Sequence, residues 1–355
     1  MKKIIPIAFV VTLIMVFCAC GNKNKLTIYT WNKMFPEEIL KGFEAETGIK
    51  INYVNFDTDE AMLENLNAKR GGSYDLVIVD DYIIEPAIKQ GLAQKLDVSK
   101  LTNYKNINPI YQGQFYDPSD EYTIPYGAGV QTIVYDPSRV NIKISGYTDL
   151  WNPSLANSVG ITGNFRVING MALKVLGESY NTNDIQAIRT AGDMLINLAP
   201  NIRLIMDGER DDYLDDELLS GKISVGVMYT SQVTTARMEN PSLKAVFPRE
   251  GIGFGIMAAF IPSKAPNPNA AHLFLNYILD AERGAVCFEY LGYYSTYSAS
   301  DPLIAPEYKE FLTLPERFHT DMEMIQSIEP EAVEAHNLIW TAFRAAAGHP
   351  ALFDN

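Results

Sequence analysis

The alternation of β-rich and amphipathic segments near the start of the chain is the feature that most restricts its fold. A β-rich run at residues 26–31 precedes an amphipathic stretch from Pro36 to Gly48, and a second strand and helix follow at residues 49–69. The next run, residues 74–79 (YDLVIV), is continuously apolar between turn residues, which is typical of a strand buried on both faces. This β-α-β-α-β order predicts a parallel sheet with right-handed connections.

Two later segments are predicted to be strands that cross between this sheet and a second one. Residues 123–135 (TIPYGAGVQTIVY) have a strand-like pattern with a small-residue break at Gly127 and Gly129, and residues 253–262 (GFGIMAAFIP) are the predicted return. Between these two crossing strands we expect further strands and helices at residues 158–161, 170–176, 184–199 and 223–228. Helices are also predicted at residues 270–279, 281–290 and 332–347. The stretch at residues 98–122 is predicted to be irregular. The pattern therefore indicates two α/β lobes.

The N-terminus predicts export and a lipid anchor. Two lysines precede an apolar run at residues 4–17, which is too short to span a bilayer and is typical of a signal peptide. The run ends in VFCACG, where a small residue followed by Cys20 resembles a bacterial lipobox. We therefore expect a signal peptide at residues 1–19, lipidation of Cys20 and a polar tether at residues 20–25. Cleavage elsewhere, without a lipid, is the alternative.

The composition is acidic, and no catalytic motif is recognisable. Asp and Glu number 43 against 29 Lys and Arg, a net charge of -14, which disfavours nucleic acid and anionic membranes and weakly favours a cationic ligand. The sequence has no G-x-S-x-G, HExxH, P-loop or CxxC motif, and its four histidines lack metal-ligand spacing. We expect no metal and no cofactor, although an enzyme that uses only carboxylates remains open. The acidic run at residues 207–217 is predicted to begin a solvated helix, with a cation-facing Asp207 as the alternative.

Seven strings follow one another along nearly all of the mature chain: LTIYTWNKMFPEEILKGFEAETGIKI, YDLVIVDDYIIEPAIKQGLAQKLDVSKL, YTIPYGAGVQTIVYDPS, DLWNPSLANSVGI, SGKISVGVMY, FPREGIGFGI and LGYYSTYS. In order and spacing they resemble the spermidine/putrescine-binding proteins, a family of type II periplasmic binding proteins that serve ABC importers. The resemblance implies an α/β fold of two lobes, each a mostly parallel sheet flanked by helices, with the ligand cleft between the lobes.

The resemblance also implies a role in transport. We expect an exported monomer, lipid-anchored at the outer face of the cell membrane or in the periplasm, that has no catalytic activity and no cofactor. It is expected to bind a polyamine or a related small amine and to deliver it to an ABC permease and its ATPase. The N-terminal lobe is expected at residues 26–127 plus 257–300 and the C-terminal lobe at residues 128–256 plus 301–355, with hinge closure around the ligand.

Carried over by position, the resemblance places predicted ligand-binding residues beyond the strands of both lobes, where ligands bind in open α/β sheets. These residues are Trp31, Asn32, Asp80, Tyr82, Tyr229 and Tyr293. Aromatic rings suit a polyamine because its methylene groups stack on flat faces and each ammonium group gains a cation–π attraction of roughly 0.5–2 kcal/mol. For each ring, packing in the core is the alternative.

Four positions depart from the family pattern at this site. Asn164, Val167 and Met257 stand where polyamine binders carry carboxylates, and Gly255 stands where a stacking Trp is common. Loss of the partner of a buried charge costs about 2–5 kcal/mol. A solute with one amine, or a larger and less charged solute that fills the space at Gly255, is therefore the alternative. Glu329, in the tail that approaches the cleft in the family, is a further predicted contact.

Asp80 is the predicted anchor for a cationic ligand, in preference to any group of the second lobe. An enclosed ammonium ion without a counter-charge is strongly disfavoured, and Asp80 follows a buried strand beside Tyr82. Asp81 is the weaker candidate because successive side chains of a strand point to opposite sides. A helix-capping role for Asp80 remains open. Two other functions also remain open, namely a secreted carboxylate-dependent hydrolase and a sensor partner that binds the same ligand.

The lipobox hypothesis predicts that Cys20→Ser releases the protein from membranes or leaves it unprocessed. The thiol is the group that carries the lipid, and serine cannot replace it. Membrane fractionation followed by mass measurement of the mature N-terminus checks this. Mature protein that still partitions with membranes after the substitution would show that the hypothesis is wrong.

Overall fold

The computed structural model describes residues 24–56, 58–206, 214–312 and 322–349. The predicted signal peptide, Cys20 and Asp207 lie outside these ranges. The strands are β1 (Lys25–Thr30), β2 (Lys50–Asn55), β3 (Leu76–Asp80), β4 (Thr123–Tyr135), β5 (Val159–Thr162), β6 (Ile202–Met206), β7 (Val225–Tyr229), β8 (Lys244–Val246), β9 (Ile252–Phe260) and β10 (Met322–Met324). The helices are α1 (Glu37–Thr47), α2 (Asp59–Ala68), α3 (Asp81–Lys89), α4 (Phe165–Val175), α5 (Ile185–Leu198), α6 (Leu214–Leu219), α7 (Thr230–Glu239), α8 (Pro268–Ile278), α9 (Ala281–Leu291), α10 (Pro306–Leu312) and α11 (Pro330–Ala346). Within these ranges, every helix is too short or too polar to cross a bilayer.

The first sheet begins with three parallel strands, in which β1 lies between β2 and β3. The four apolar residues of β3, at positions 76–79, are all fully buried, so the continuous apolar run corresponds to a strand covered on both faces. Helix α1 packs Ile39 and Phe43 into the core of this lobe. It ends at Gly48, whose φ of 70° is accessible to glycine without steric cost. The predicted β-α-β-α-β unit is confirmed.

The second sheet is built in the same way from β6, β5 and β7, which are parallel to one another. Its core contains Ile161, Val225 and Val227, all fully buried. Helices α4 and α5 cover the sheet, and α11 packs against both of them. The mixed α/β fold with two lobes agrees with the fold class that the sequence predicts.

Two long antiparallel strands, β4 and β9, connect the sheets. They pair with each other from Thr123 opposite Phe260 to Val130 opposite Phe254. On its other side β9 pairs with β3 of the first sheet, whereas the second half of β4 pairs with β7 of the second. Each sheet therefore continues into the other through backbone hydrogen bonds, and the carboxyl ends of the parallel strands in both lobes border the space between them.

The segments after β9 divide their packing between the lobes. Ile304 and Leu312 are buried in the core of the first lobe, whereas Trp340 and Phe343 of α11 are buried in the core of the second. The lobe boundaries that the sequence analysis gives remain a prediction. This packing would place residues 301–312 with the first lobe and leave residues 322–349 with the second.

The stretch at residues 98–122 contains short 3₁₀ turns and is organised around a buried carboxylate. Asp117 Oδ2 accepts hydrogen bonds from the backbone N–H of Tyr122 (2.8 Å) and from the backbone N–H and hydroxyl of Thr123 (2.9 Å each). Its Oδ1 accepts a further bond from the N–H of Glu121. These bonds fix the direction in which the chain enters β4.

We expect Asp117→Ala to lower the free energy of unfolding by about 2–4 kcal/mol, because it leaves several buried donors without an acceptor. Urea unfolding at neutral pH measures the change. The control is Glu121→Ala in the same segment. It removes only a solvent-exposed ion pair with Lys95 and should cost about 0–1 kcal/mol. Equal effects of the two substitutions would contradict the organising role of Asp117.

Candidate functional site

A cavity of about 560 Å³ lies between the lobes and is lined by residues that follow strands of both sheets. Trp31 and Asn32 follow β1, Asp59 and Glu60 begin the helix after β2, and Asp80 ends β3. The corresponding edge of the second sheet contributes the residues after β5 and β7. This is the location that the topology of open α/β sheets favours for a ligand.

Nine of the ten predicted ligand-binding residues line this cavity: Trp31, Asn32, Asp80, Tyr82, Asn164, Tyr229, Gly255, Met257 and Tyr293. Val167 lines it as well. The structure does not bring Glu329 to the cavity. Glu329 is exposed at the N-terminus of α11, and its N–H donates to Asn183 Oδ1 (2.9 Å). Contact of the nine residues with a ligand remains a prediction.

Aromatic rings form part of the cavity wall. Trp31 packs on Phe56, with ring centroids 5.0 Å apart, and remains partly exposed to the cavity. Tyr293 lies against β4 at Gly129, where an added Cβ would lie 2.7 Å from the ring. Glycine is therefore required at position 129 for this placement. Tyr229 immediately precedes α7 and is also partly exposed. Rings in this arrangement can stack on an alkyl chain or face a cation.

Tyr82 and two carboxylates form a hydrogen-bonded group on the first-lobe wall. The hydroxyl oxygen of Tyr82 lies 3.0 Å from Asp59 Oδ2 and 3.2 Å from Glu60 Oε1. Both carboxylates belong to the first turn of α2, whose positive end stabilises negative charge. The hydroxyl of Tyr82 is thus already hydrogen-bonded within the protein. The group would therefore attract a ligand mainly through the negative charge of its carboxylates.

Asp59 and Asp80 form an acidic pair, in which Asp59 is buried and Asp80 is partly exposed. Burial raises the pKa of Asp80 to about 7; the charge of Glu60 contributes to this rise, and a hydrogen bond from Asp59 opposes it. Burial also raises the pKa of Asp59, and the neighbouring charges of Asp80 and Glu60 raise it further. Two neighbouring carboxylates that are shielded from water cannot both be charged without a cost. The pair therefore retains a proton at a pH where isolated carboxylates have none.

The two neighbouring aspartates, Asp80 and Asp81, have different roles. Asp81 Oδ2 accepts a hydrogen bond from the N–H of Ile256 (2.9 Å), which ties the start of α3 to β9. Asp80 occupies the N-cap position of α3, but its side chain makes no capping hydrogen bond. The helix-capping alternative for the Asp80 side chain is therefore wrong. Its carboxylate is directed to the acidic pair and the cavity instead.

The second-lobe wall contains a buried acid that the sequence analysis does not identify. Asp215, in the first turn of α6, is only 6% exposed and lines the cavity. Burial raises its pKa to about 6, and one of its oxygens has no hydrogen-bond partner among the described residues. The prediction that the acidic run is solvated is wrong at this position. The preference for Asp80 over a group of the second lobe as the anchor stays a prediction.

The start of α4 completes the second-lobe wall. Asn164 Oδ1 accepts hydrogen bonds from the N–H groups of Arg166 (3.0 Å) and Val167 (3.3 Å), so it caps the helix. This cap begins α4 five residues earlier than the sequence analysis predicts. Position 164, where this chain has Asn in place of the carboxylate of polyamine binders, thus caps a helix whose N-terminus faces the cavity. An added Cβ at Gly255 would meet nothing within 4 Å, so space remains beside Met257.

Signals for the missed residues were present in the sequence. Asp59 and Glu60 follow a predicted strand, as Asp80 does, and the rule that selected Asp80 applies equally to them. Arg166 lies in a helix whose predicted start is too late, and Asp215 lies in an acidic run that is predicted to be solvated. Among the residues that the structure describes, no group of His, Cys, Asp and Glu side chains is suited to hold a metal ion.

Comparisons with known proteins agree with this geometry. The family model for bacterial extracellular solute-binding proteins matches residues 38–314. The spermidine/putrescine-binding periplasmic protein of Escherichia coli (strain K12) is 31% identical over 310 residues, which are 87% of this chain and 86% of that protein. Its counterpart from Salmonella typhimurium is 32% identical, over 81% of this chain and 82% of that protein. A putative spermidine/putrescine ABC transporter structure from Listeria monocytogenes superposes with a TM-score of 0.84 at 27% identity, covering 90% of this chain and 99% of that chain.

We expect Asp80→Asn to raise the stability of the ligand-free protein at pH 8 by about 2 kcal/mol and to leave it nearly unchanged at pH 4. Because the pKa of Asp80 in the folded protein, about 7, lies above the ordinary value of 3.8 for an aspartate, Asp80 destabilises the fold increasingly as the pH rises between these values. Urea unfolding at both pH values measures this. The control is Asp193→Asn, which removes an exposed carboxylate on α5 and should change the free energy of unfolding by no more than about 0.5 kcal/mol. Lower stability of Asp80→Asn than of the wild type at pH 8 would contradict the predicted destabilisation.

Proposed function

Because this chain belongs to the family of bacterial extracellular solute-binding proteins, we propose that it captures a small amine-bearing solute outside the cytoplasm and delivers it to an ABC importer. The relatives named above bind spermidine and putrescine according to their names. A polyamine or a related small amine is therefore the solute class that similarity supports.

The observation that carries the proposal is the presence of buried or partly buried carboxylates in both walls of one cavity. Asp59, Asp80 and Asp215 all line it, and within the described ranges none of them forms an ion pair with a basic side chain. Buried charges require a partner. An ammonium group of a solute would supply this partner, and the rings of Trp31 and Tyr293 would cover its methylene groups.

Capture is proposed to require closure of the lobes. The hydrogen-bonded strands β4 and β9 would act as the hinge, because they belong to both sheets and their small residues at positions 127, 129 and 255 allow the backbone to bend. A solute enclosed between the acidic groups of both lobes would stabilise the closed form. In this proposal the permease and its ATPase recognise that form.

Export, lipid anchoring through Cys20 and the monomeric state belong to the same proposal. The N-terminal sequence supports export and the lipid anchor, and the relative from Escherichia coli is periplasmic by name. The tether at residues 20–25 would hold the monomer beside a permease in the membrane. The protein would then contact the membrane only through its lipid.

A carboxylate-dependent hydrolase is the second candidate, favoured by the occurrence of Asp80 and Asp215 in different walls of the cavity. Such an enzyme would place a general acid and a second carboxylate on either side of a bond. Aromatic walls that suit an alkyl chain, together with membership of a solute-binding family, favour capture without chemical change.

We expect isothermal titration calorimetry with putrescine and spermidine to show saturable binding of at least one of them. Asp80→Asn should lose about 2 kcal/mol of binding free energy, which is roughly a 30-fold weaker affinity. Asp193→Asn, an exposed carboxylate on α5, is the matched control and should bind as the wild type does.

Two results would contradict the proposal. The first is equal affinity of the wild type and Asp80→Asn for the amine, with both proteins folded. The second is recovery of a chemically altered solute after incubation, which would favour the hydrolase. A solute at a hundred times its dissociation constant should also stabilise the protein by about 2.7 kcal/mol and so raise its melting temperature.

A further inference from the structure

Arg166 is a buried cation in the second-lobe wall of the cavity. It lies in the first turn of α4 and is only 4% exposed. Its Nη2 donates to the backbone oxygens of Tyr180 (3.2 Å) and Gln326 (3.1 Å) and to Asn181 Oδ1 (3.4 Å). All three acceptors are uncharged. These contacts hold the side chain in place without neutralising it.

The guanidinium group retains an unused donor. Within the described ranges Nε of Arg166 is buried and has no hydrogen-bond partner, and no carboxylate forms an ion pair with this side chain. An arginine keeps its charge even when buried. A buried positive charge with an unpaired donor is costly unless an anionic acceptor reaches it.

The helix that carries Arg166 increases the positive potential at this point. Residues 163–167 at the start of α4 all line the cavity. The N-terminus of an α-helix has a partial positive charge and stabilises an anion placed next to it. Arg166 and the helix end therefore act on the same part of the cavity and favour the same ligand group.

The first-lobe wall is acidic, whereas the second-lobe wall carries both Arg166 and the acid Asp215. Asp59, Glu60 and Asp80 lie on the first lobe, across the cavity from α4. A solute that has only ammonium groups would satisfy these carboxylates but would place further positive charge in the same enclosed volume as Arg166. A solute with one ammonium group and one carboxylate would pair both with these first-lobe carboxylates and with Arg166.

We propose that the captured solute is an amino acid-like zwitterion, whose ammonium group binds at Asp59 and Asp80 and whose carboxylate accepts a hydrogen bond from Nε of Arg166. This inference rests on the proposed function, because it retains the same site and the same amine anchor. It adds a carboxylate to the solute, a group that putrescine and spermidine lack.

The test compares matched compounds of equal length by calorimetry at pH 8. Each ω-amino acid from three to six carbons is titrated beside the diamine of the same length, for example 4-aminobutyrate beside 1,4-diaminobutane. In the wild type, at least one ω-amino acid should bind ten-fold or more tightly than its matched diamine. A diamine that binds more tightly at every length would overturn the inference.

Two variants locate the effect at Arg166. Arg166→Gln should weaken the preferred ω-amino acid at least ten-fold and leave its matched diamine unchanged or bound more tightly. Asn164→Asp keeps a good N-cap residue and adds a negative charge in the same turn, so it should shift the preference in the same direction with the fold intact. An equal loss for both compounds in the two variants would contradict a carboxylate contact at Arg166.

The outcomes also separate this inference from the proposed function. Diamine binding that depends on Asp80, with no ω-amino acid binding, would reject the zwitterion and leave amine capture standing. Absence of binding for every compound in both series would reject the amine anchor itself, and the zwitterion with it.

Discussion

The pairing of β4 with β9 is the interaction on which the rest of the architecture depends. Each strand also pairs with one of the two sheets, so backbone hydrogen bonds connect β3, β9, β4 and β7 in one sequence. This continuity orients the carboxyl ends of the parallel strands in both lobes toward one cavity. Side chains that are far apart in sequence, such as Asp59 and Asp215, thereby line the same cavity. The glycines of β4, Gly127 and Gly129, leave room for Tyr293 beside the backbone.

Most of the fold was predictable because its signals are local. The buried run at residues 74–79 could form only a strand covered on both faces, and the small-residue breaks at Gly127 and Gly129 correctly marked a strand that passes between lobes. The start of α4 was predicted too late because residues 165–169 contain no Pro or acidic residue. The capping role of Asn164 depends on a side-chain hydrogen bond that periodicity cannot detect. The packing of Ile304 and Leu312 with the first lobe is a tertiary contact without a local signal.

The candidate site was predictable where a residue directly follows a strand and not where burial decides its role. Trp31, Asp80 and Tyr229 were found by that rule, and all three line the cavity. Asp215 lies within an acidic run, where solvation is the usual expectation, yet packing of α6 buries it. No sequence pattern identifies Arg166. It stands out only because it forms no ion pair in the described part of the fold. Charge balance in a cavity is a property of the folded chain.

The acidic pair of Asp59 and Asp80 has a consequence for the environment in which the protein works. Near neutral pH the pair holds a proton, and an ammonium group that docked there, as proposed above, would displace it. Capture would then be an exchange of one cation for another, and the heat of binding would include the heat with which the buffer takes up the released proton. In that proposal protons and solute would compete for the same two carboxylates. Acidification of the surroundings would therefore favour unloading, and alkaline surroundings would favour loading, without any movement of the lobes being required for that preference.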